Sequence, residues 1–216
     1  MFALFFDTET TGVVKWKTPS ISPEQPDLVQ LGALLVDLDT REDVASIDVI
    51  VTPNGEYVIP DGAAAVHKVT TEKAERVGIL LESAVLPFRD LLATADLVVA
   101  HNIRFDKIIM ERASAKVDLH FGQPIQDLWL PKNKLVCTML RSTPIVKKKA
   151  KRQMSRDEYA WPKLFEALKF FTGEDLPGAH NAMVDVIACK KIFFALADTT
   201  DTLNDILFTQ EMKKAA

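Results

Sequence analysis

FALFFDTETTG, residues 2–12, begins with five apolar residues and runs into Asp7, Glu9 and three threonines. A short apolar run that ends in polar residues reads as a buried strand, placed here over residues 2–8. Alternate side chains of a strand share a face, so Asp7 and Glu9 leave the same side of the sheet at its end. Two carboxylates held side by side repel unless a cation lies between them. Oxygen-only ligands of this kind suit Mg²⁺ or Mn²⁺. The alternative is that both acids simply face solvent, as Asp37 and Asp39 do on such a reading. The TTG that follows offers backbone N–H groups and a hydroxyl to any bound phosphate.

Outward from this strand, Pro19, Pro23 and Pro26 mark an irregular loop. Apolar runs at 28–38 and 44–51, joined by DLDTRED, read as neighbouring antiparallel strands. From Thr70 the pattern becomes helical, with the stronger helix over 81–95 and Pro87 inside it. DLVVA at 96–100 reads as a fourth strand leading into a helix over 105–116, and a weak strand lies near 134–138. Helices over about 163–171 and 181–197 close the pattern. Three strands followed by alternating strand and helix predict an α/β fold around a mixed sheet.

The chain has 216 residues, 48% of them hydrophobic and 26% charged, which fits a soluble globular protein of one domain. No apolar run spans a bilayer, and MFALFF lacks the basic n-region of a signal peptide, so a cytoplasmic setting without membrane is expected. Cys137 and Cys189 are the only cysteines, too few for a disulfide framework or a thiolate metal site. The formal net charge of −4 is unevenly spread. Between Lys132 and Lys163 ten basic residues face two acids, a net of +8 that leaves −12 for the remainder. A basic arm over about 141–160 on an acidic body is either a footprint for a polyanion or a solvated loop. A polar tail covers about 201–216.

Two further acidic motifs stand downstream. HNIRFD at 101–106 follows a strand and opens a helix, where α/β sheets build ligand sites. Asn102 can cap that helix, and Asp106 falls in the first turn, which favours an acid in any case. His101 reads as a hydrogen-bonded structural histidine. In GAHNAMVD, residues 178–185, five positions separate His180 from Asp185, about 140° around a helix of 3.6 residues per turn. The two converge only if His180 lies on the loop before the helix, which Pro177 and Gly178 permit. Val186, Cys189, Phe193 and Leu196 then form a stripe facing the core.

Taken together, DxE at 7–9, the Asp106 motif and HxxxxD at 180–185 resemble the DEDD 3′→5′ exonucleases, on the histidine branch that includes polymerase proofreading subunits, RNase T and oligoribonuclease. The resemblance runs from about residue 2 to 197, and WPKL at 161–164 resembles the family as well. Position 181 is Asn, where the tyrosine branch has Tyr. Gln30 stands where relatives often have Glu.

The resemblance implies an RNase H-like fold, a mixed five-stranded sheet with helices on both faces. It also implies metal-dependent hydrolysis of phosphodiesters from the 3′ end of single-stranded or mismatched DNA, with trimming of RNA as the alternative. Asp7, Glu9, Asp106 and Asp185 would hold two divalent cations, Mg²⁺ or Mn²⁺, whose +4 matches four carboxylates. His180 would be the general base, on a loop that moves. Among substrate contacts, Thr10 could reach the terminal sugar, and Phe105 could stack on a base or belong to the core. His67 either borders the cleft or is structural. Lys147, Lys148 and Lys149 could follow the phosphate backbone. A polymerase or replication partner is compatible with the pattern, and a non-catalytic nucleic-acid-binding module is the other class of reading.

Overall fold

The computed structural model describes residues 1–149 and 159–199. Five strands form one mixed sheet: β1 (Phe2–Thr10), β2 (Leu28–Asp37), β3 (Asp43–Ile50), β4 (Leu97–Ala100) and β5 (Lys134–Cys137). Their order is β3-β2-β1-β4-β5, with β2 antiparallel to both neighbours and β4 and β5 parallel to β1. The expected α/β architecture with a mixed five-stranded sheet is what the chain forms. Helices α1 (Asp61–His67), α2 (Thr71–Val77), α3 (Leu81–Thr94), α4 (Ile103–His120), α5 (Thr138–Val146), α6 (Leu164–Thr172) and α7 (Ala182–Thr199) complete it.

Strand alternation sorts the core into two layers. Leu4 and Phe6 of β1 face α3 and α4, packing with Phe88, Leu92, Ile109 and Met110. Ala3 and Phe5 point the other way, toward α6 and α7, among Leu168, Val186, Cys189, Ile192 and Phe193. The helices therefore cover both faces, and the 186–189–193–196 stripe is buried as its spacing predicts. Phe5 and Phe193 meet edge to face with ring centroids 5.2 Å apart, which ties α7 to β1 two residues before Asp7.

Two helices differ from the sequence reading. The helix α1 precedes Thr70, where the helical pattern was expected to begin. Its signals are Pro60 at the N-cap and Asp61 in the first turn. Helix α5 carries two threonines and Pro144, residues of poor intrinsic propensity that tertiary packing overrides. Pro87 sits inside α3 without ending it. Residues 150–158 of the basic arm and the whole polar tail lie outside the described residues. Among the described residues, no helix is long and apolar enough to cross a membrane.

Candidate active site

The site forms where β1 outruns its parallel neighbour. Pairing between β1 and β4 ends at Phe5 opposite Val99, while β1 continues to Thr10. The crevice beyond the carboxyl ends of parallel strands is where open α/β sheets bind ligands. Asp7 and Glu9 continue the face of Ala3 and Phe5, the side of α7. Their cross-strand partners on β2 are Gly32 and Gln30. The first turn of α7 packs on those two residues, so Asp185 arrives beside the carboxylates of β1.

That close packing has two local causes. A Cβ at Gly32 would lie 2.6 Å from the Ala182 carbonyl carbon and 2.7 Å from the Met183 nitrogen, so only glycine lets the backbone of α7 approach. Buried Gln30 accepts a hydrogen bond from Ala182 N at 3.3 Å through Oε1, and its Nε2 donates to Asp48 Oδ1 at 3.1 Å. Thr8, on the opposite face of β1, holds the fourth acid. Its N–H and its hydroxyl both donate to Asp106 Oδ1, at 3.0 and 2.7 Å. Asp106 stands one turn into α4, after Asn102 takes the left-handed conformation at φ 71°.

His180 lies on the loop before α7, at φ 66°, exposed, with its N–H donating to Asp185 Oδ2 at 3.2 Å. A ring nitrogen of His180 and carboxylate oxygens of Glu9 and Asp185 all lie within 4.8 Å of one another. The angular argument from the sequence thus describes the observed arrangement, with the histidine outside the helix and the acid within it.

One cleft of about 650 Å³ is lined by Asp7, Glu9, Asp106, His180 and Asp185, and also by Thr10, His67 and Phe105. The Thr10 hydroxyl is engaged by its own turn, donating to the Gly12 carbonyl at 2.6 Å. Phe105 both lines the cleft and packs against the core. His67 is buried, and its Nδ1 accepts a hydrogen bond from Val69 N at 3.2 Å, so the neutral ring carries its proton on Nε2. His101 is a strut: Nε2 donates to the Pro162 carbonyl at 3.1 Å, and Nδ1 meets the Thr138 hydroxyl at 3.0 Å. Lys147, Lys148 and Lys149 do not line the cleft. Lys148 is held by both oxygens of Glu166, at 2.7 and 2.6 Å.

A smaller cavity of about 300 Å³ lies between Tyr57 and Arg112 and contains none of the three motifs. Its cations are already neutralised, Arg112 and Lys116 by Asp27 and Lys116 again by Glu56.

The acids of the cleft are buried together and repel one another. Burial, then the charges of Asp106, Asp185 and Glu9, holds the Asp7 carboxyl well above the usual carboxylate range. Burial followed by repulsion from Asp185 and Asp106 pushes Glu9 up to about 8. Burial also raises Asp106, against the two hydrogen bonds from Thr8, and raises Asp185, against the His180 N–H. Acids crowded and buried in this way are concentrated at functional sites, since their mutual repulsion costs stability. The buried Oδ1 of Asp185 has no hydrogen-bond partner among the described residues. An orphaned carboxylate oxygen amid three other carboxylates fits a cation and is costly without one.

A family model described as Exonuclease (RNase T) matches residues 4–193. The chain belongs to the exonuclease family. No curated protein matches it. Among solved structures, Escherichia coli exonuclease I in complex with a dA16 oligonucleotide superposes with a TM-score of 0.70 at 19% identity, over 96% of this chain and 43% of that one. The zinc-bound form of the E. coli exonuclease I–single-stranded DNA complex gives 0.66 at 19%, over 96% and 43%. A product-bound structure of exonuclease I gives 0.68 at 18%, over 96% and 46%. The chain spans less than half the length of these proteins, and the likeness is one of fold. As an exonuclease-family chain, it carries its acids where that fold opens.

Three residues that position the site were not singled out for it in the sequence. Thr8 is hidden between two more conspicuous acids. Gly32 is an isolated glycine inside an apolar strand, a pattern that marks close backbone approach. Gln30 is a polar residue at a buried strand position, and its partner, the amide of Ala182, is remote in sequence.

Proposed function

We propose that the chain is a 3′→5′ exonuclease of the histidine branch, releasing nucleoside 5′-monophosphates from single-stranded or mismatched DNA. The observation that carries the reading is the convergence of Asp7, Glu9, Asp106, His180 and Asp185, from three distant stretches, on one cleft. The donor set is four carboxylates with one unpartnered oxygen, which suits two hard divalent cations, Mg²⁺ or Mn²⁺. When bound, such ions lower the pKa of an attacking water and stabilise the departing 3′ oxygen.

The chain's own residues do the rest. Asp7, Glu9 and Asp185 hold charge on the α7 side of β1, and Asp106 closes the site from α4, oriented by Thr8. His180 stands at the open side of the cleft, where an exposed imidazole can take the proton of the attacking water and pass it to solvent. Thr10, His67 and Phe105 form the wall against which the terminal nucleotide sits. DNA is favoured as substrate because the exonuclease I structures of this fold are complexes with DNA oligonucleotides.

The test uses labelled DNA and RNA oligonucleotides with free or blocked 3′ ends, chains of two to five residues included, in Mg²⁺ or Mn²⁺. Stepwise mononucleotide release from open DNA ends is expected, abolished by Asp7→Ala and Asp185→Ala. Faster release from RNA assigns the RNA-trimming alternative. No release from either, with binding retained, assigns the non-catalytic reading.

A further inference from the structure

The loop between β1 and β2 is tied down on all sides yet holds a tryptophan out to solvent. Thr11 N donates to the Asp27 carbonyl at 3.0 Å, and Asp27 N donates back to the Thr11 hydroxyl at 2.9 Å. Gln25, buried beneath the loop, accepts from Lys15 N at 3.0 Å and donates to the carbonyls of Lys15 and Thr18 at 3.0 and 2.9 Å. Val14 is buried and anchors the turn. Between these fixed points Trp16 remains 49% exposed. The Arg104 guanidinium lies over its ring, 4.9 Å from the centroid.

Neither residue lines the cleft itself, but each is close along the chain to residues that do. Trp16 stands three residues beyond Val13, and Arg104 one residue before Phe105; Val13 and Phe105 both line the cleft. Neither Arg104 nor the neighbouring exposed Lys17 has a carboxylate partner among the described residues, in contrast to Lys148 in its grip on Glu166. Cations without a carboxylate partner, beside an aromatic face and near an acidic cleft, are what a polyanion carrying flat bases would use. A rigid loop loses little freedom when it binds.

We propose that Trp16 and Arg104 form a stacking station for an unpaired base upstream of the 3′-terminal nucleotide, with Arg104 also meeting its phosphate. The proposal rests on the 3′→5′ exonuclease reading for the direction of the strand and adds where that strand leaves the cleft. A base stacked on an aromatic face is bound in a sequence-tolerant way.

The experiment compares a DNA dinucleotide with a six-residue oligonucleotide. In Trp16→Ala, kcat/KM for the longer chain relative to the dinucleotide falls about tenfold, the size of one stacked base. Trp16→Phe restores most of the ratio, because a phenyl ring still stacks. Arg104→Ala lowers the ratio and flattens the log–log salt dependence of binding by about 0.7, the share of one phosphate on a single strand. A ratio in Trp16→Ala equal to that of the wild type overturns the station while leaving the exonuclease reading intact. Fluorescence anisotropy of a labelled six-residue oligonucleotide in chelator reads the station without turnover. A tenfold loss of affinity in Trp16→Ala supports it, and equal affinity overturns it, even if the wild type hydrolyses neither chain.

Discussion

Replacing Gly32 by alanine tests how the site is assembled without touching any group in the cleft. The new Cβ would start 2.6 Å from the Ala182 carbonyl carbon, 2.7 Å from Met183 N and 2.8 Å from the Ala182 oxygen, all of them backbone atoms. Carbon atoms in contact sit about 3.5–4.0 Å apart, so the start of α7 has to retreat by about 1 Å. That motion stretches the bond from Ala182 N to Gln30, already 3.3 Å long, and carries Asp185 and His180 away from Asp7 and Glu9. Overpacking costs about 1–3 kcal/mol and a weakened buried hydrogen bond about 1 more. At about 2–4 °C per kcal/mol for a chain of this length, melting falls by roughly 4–16 °C. The protein stays folded at 25 °C, while a displacement of about 1 Å costs about 10²-fold in turnover. Thermal melting, single-turnover hydrolysis and calorimetric Mn²⁺ titration measure the three effects. Turnover and Mn²⁺ affinity within twofold of the wild type would refute the argument that backbone approach at Gly32 places Asp185.

Thr8→Val keeps the amide bond to Asp106 but deletes the hydroxyl bond at 2.7 Å, and single-turnover rates are expected to fall about tenfold, with Thr8→Ser recovering most of the loss. Asp185→Asn removes one charge from the crowded cluster, so in chelator its melting temperature equals or exceeds the wild type's. The same variant forfeits the stabilisation that Mn²⁺ at 100 times its Kd confers, about 2.7 kcal/mol, as read by melting with and without the ion. Burial keeps His101 neutral down to about 4, against an ordinary 6.5. A folded-state histidine pKa below the unfolded one stabilises the protein above pH 6.5, and that contribution is lost as pH falls from 6.5 toward 4. Over that window the wild type loses up to about 3 kcal/mol more than His101→Gln, measured by urea unfolding at each pH.

Much of this was readable along the chain. The five strands came from apolar runs bounded by polar or turn residues, α4 from its place after a strand with Asp106 in the first turn, and α7 from the helical spacing of Val186, Cys189, Phe193 and Leu196. The placement of His180 off the helix and Asp185 on it followed from 3.6 residues per turn. Helix α5 was missed because Thr138, Thr143 and Pro144 argue locally against it. Helix α1 was missed because its signals are only Pro60 and Asp61, and with it went the means by which His67 reaches the cleft wall. A charge run shows Lys148 only as a residue that could follow a phosphate backbone or face solvent, and its ion pair with Glu166, 18 residues away, is visible only in the fold.

What the amino-acid order determined by itself was local: which segments are strands or helices, which face each acid takes, and that three acidic motifs occur in series. Tertiary structure alone decided that those motifs share one cleft. Distance between segments is set by packing across the sheet, by the missing Cβ of Gly32, the amide of Gln30 and the hydroxyl of Thr8. None of these acts on its neighbours in sequence; each acts on a residue some 100 to 150 positions away.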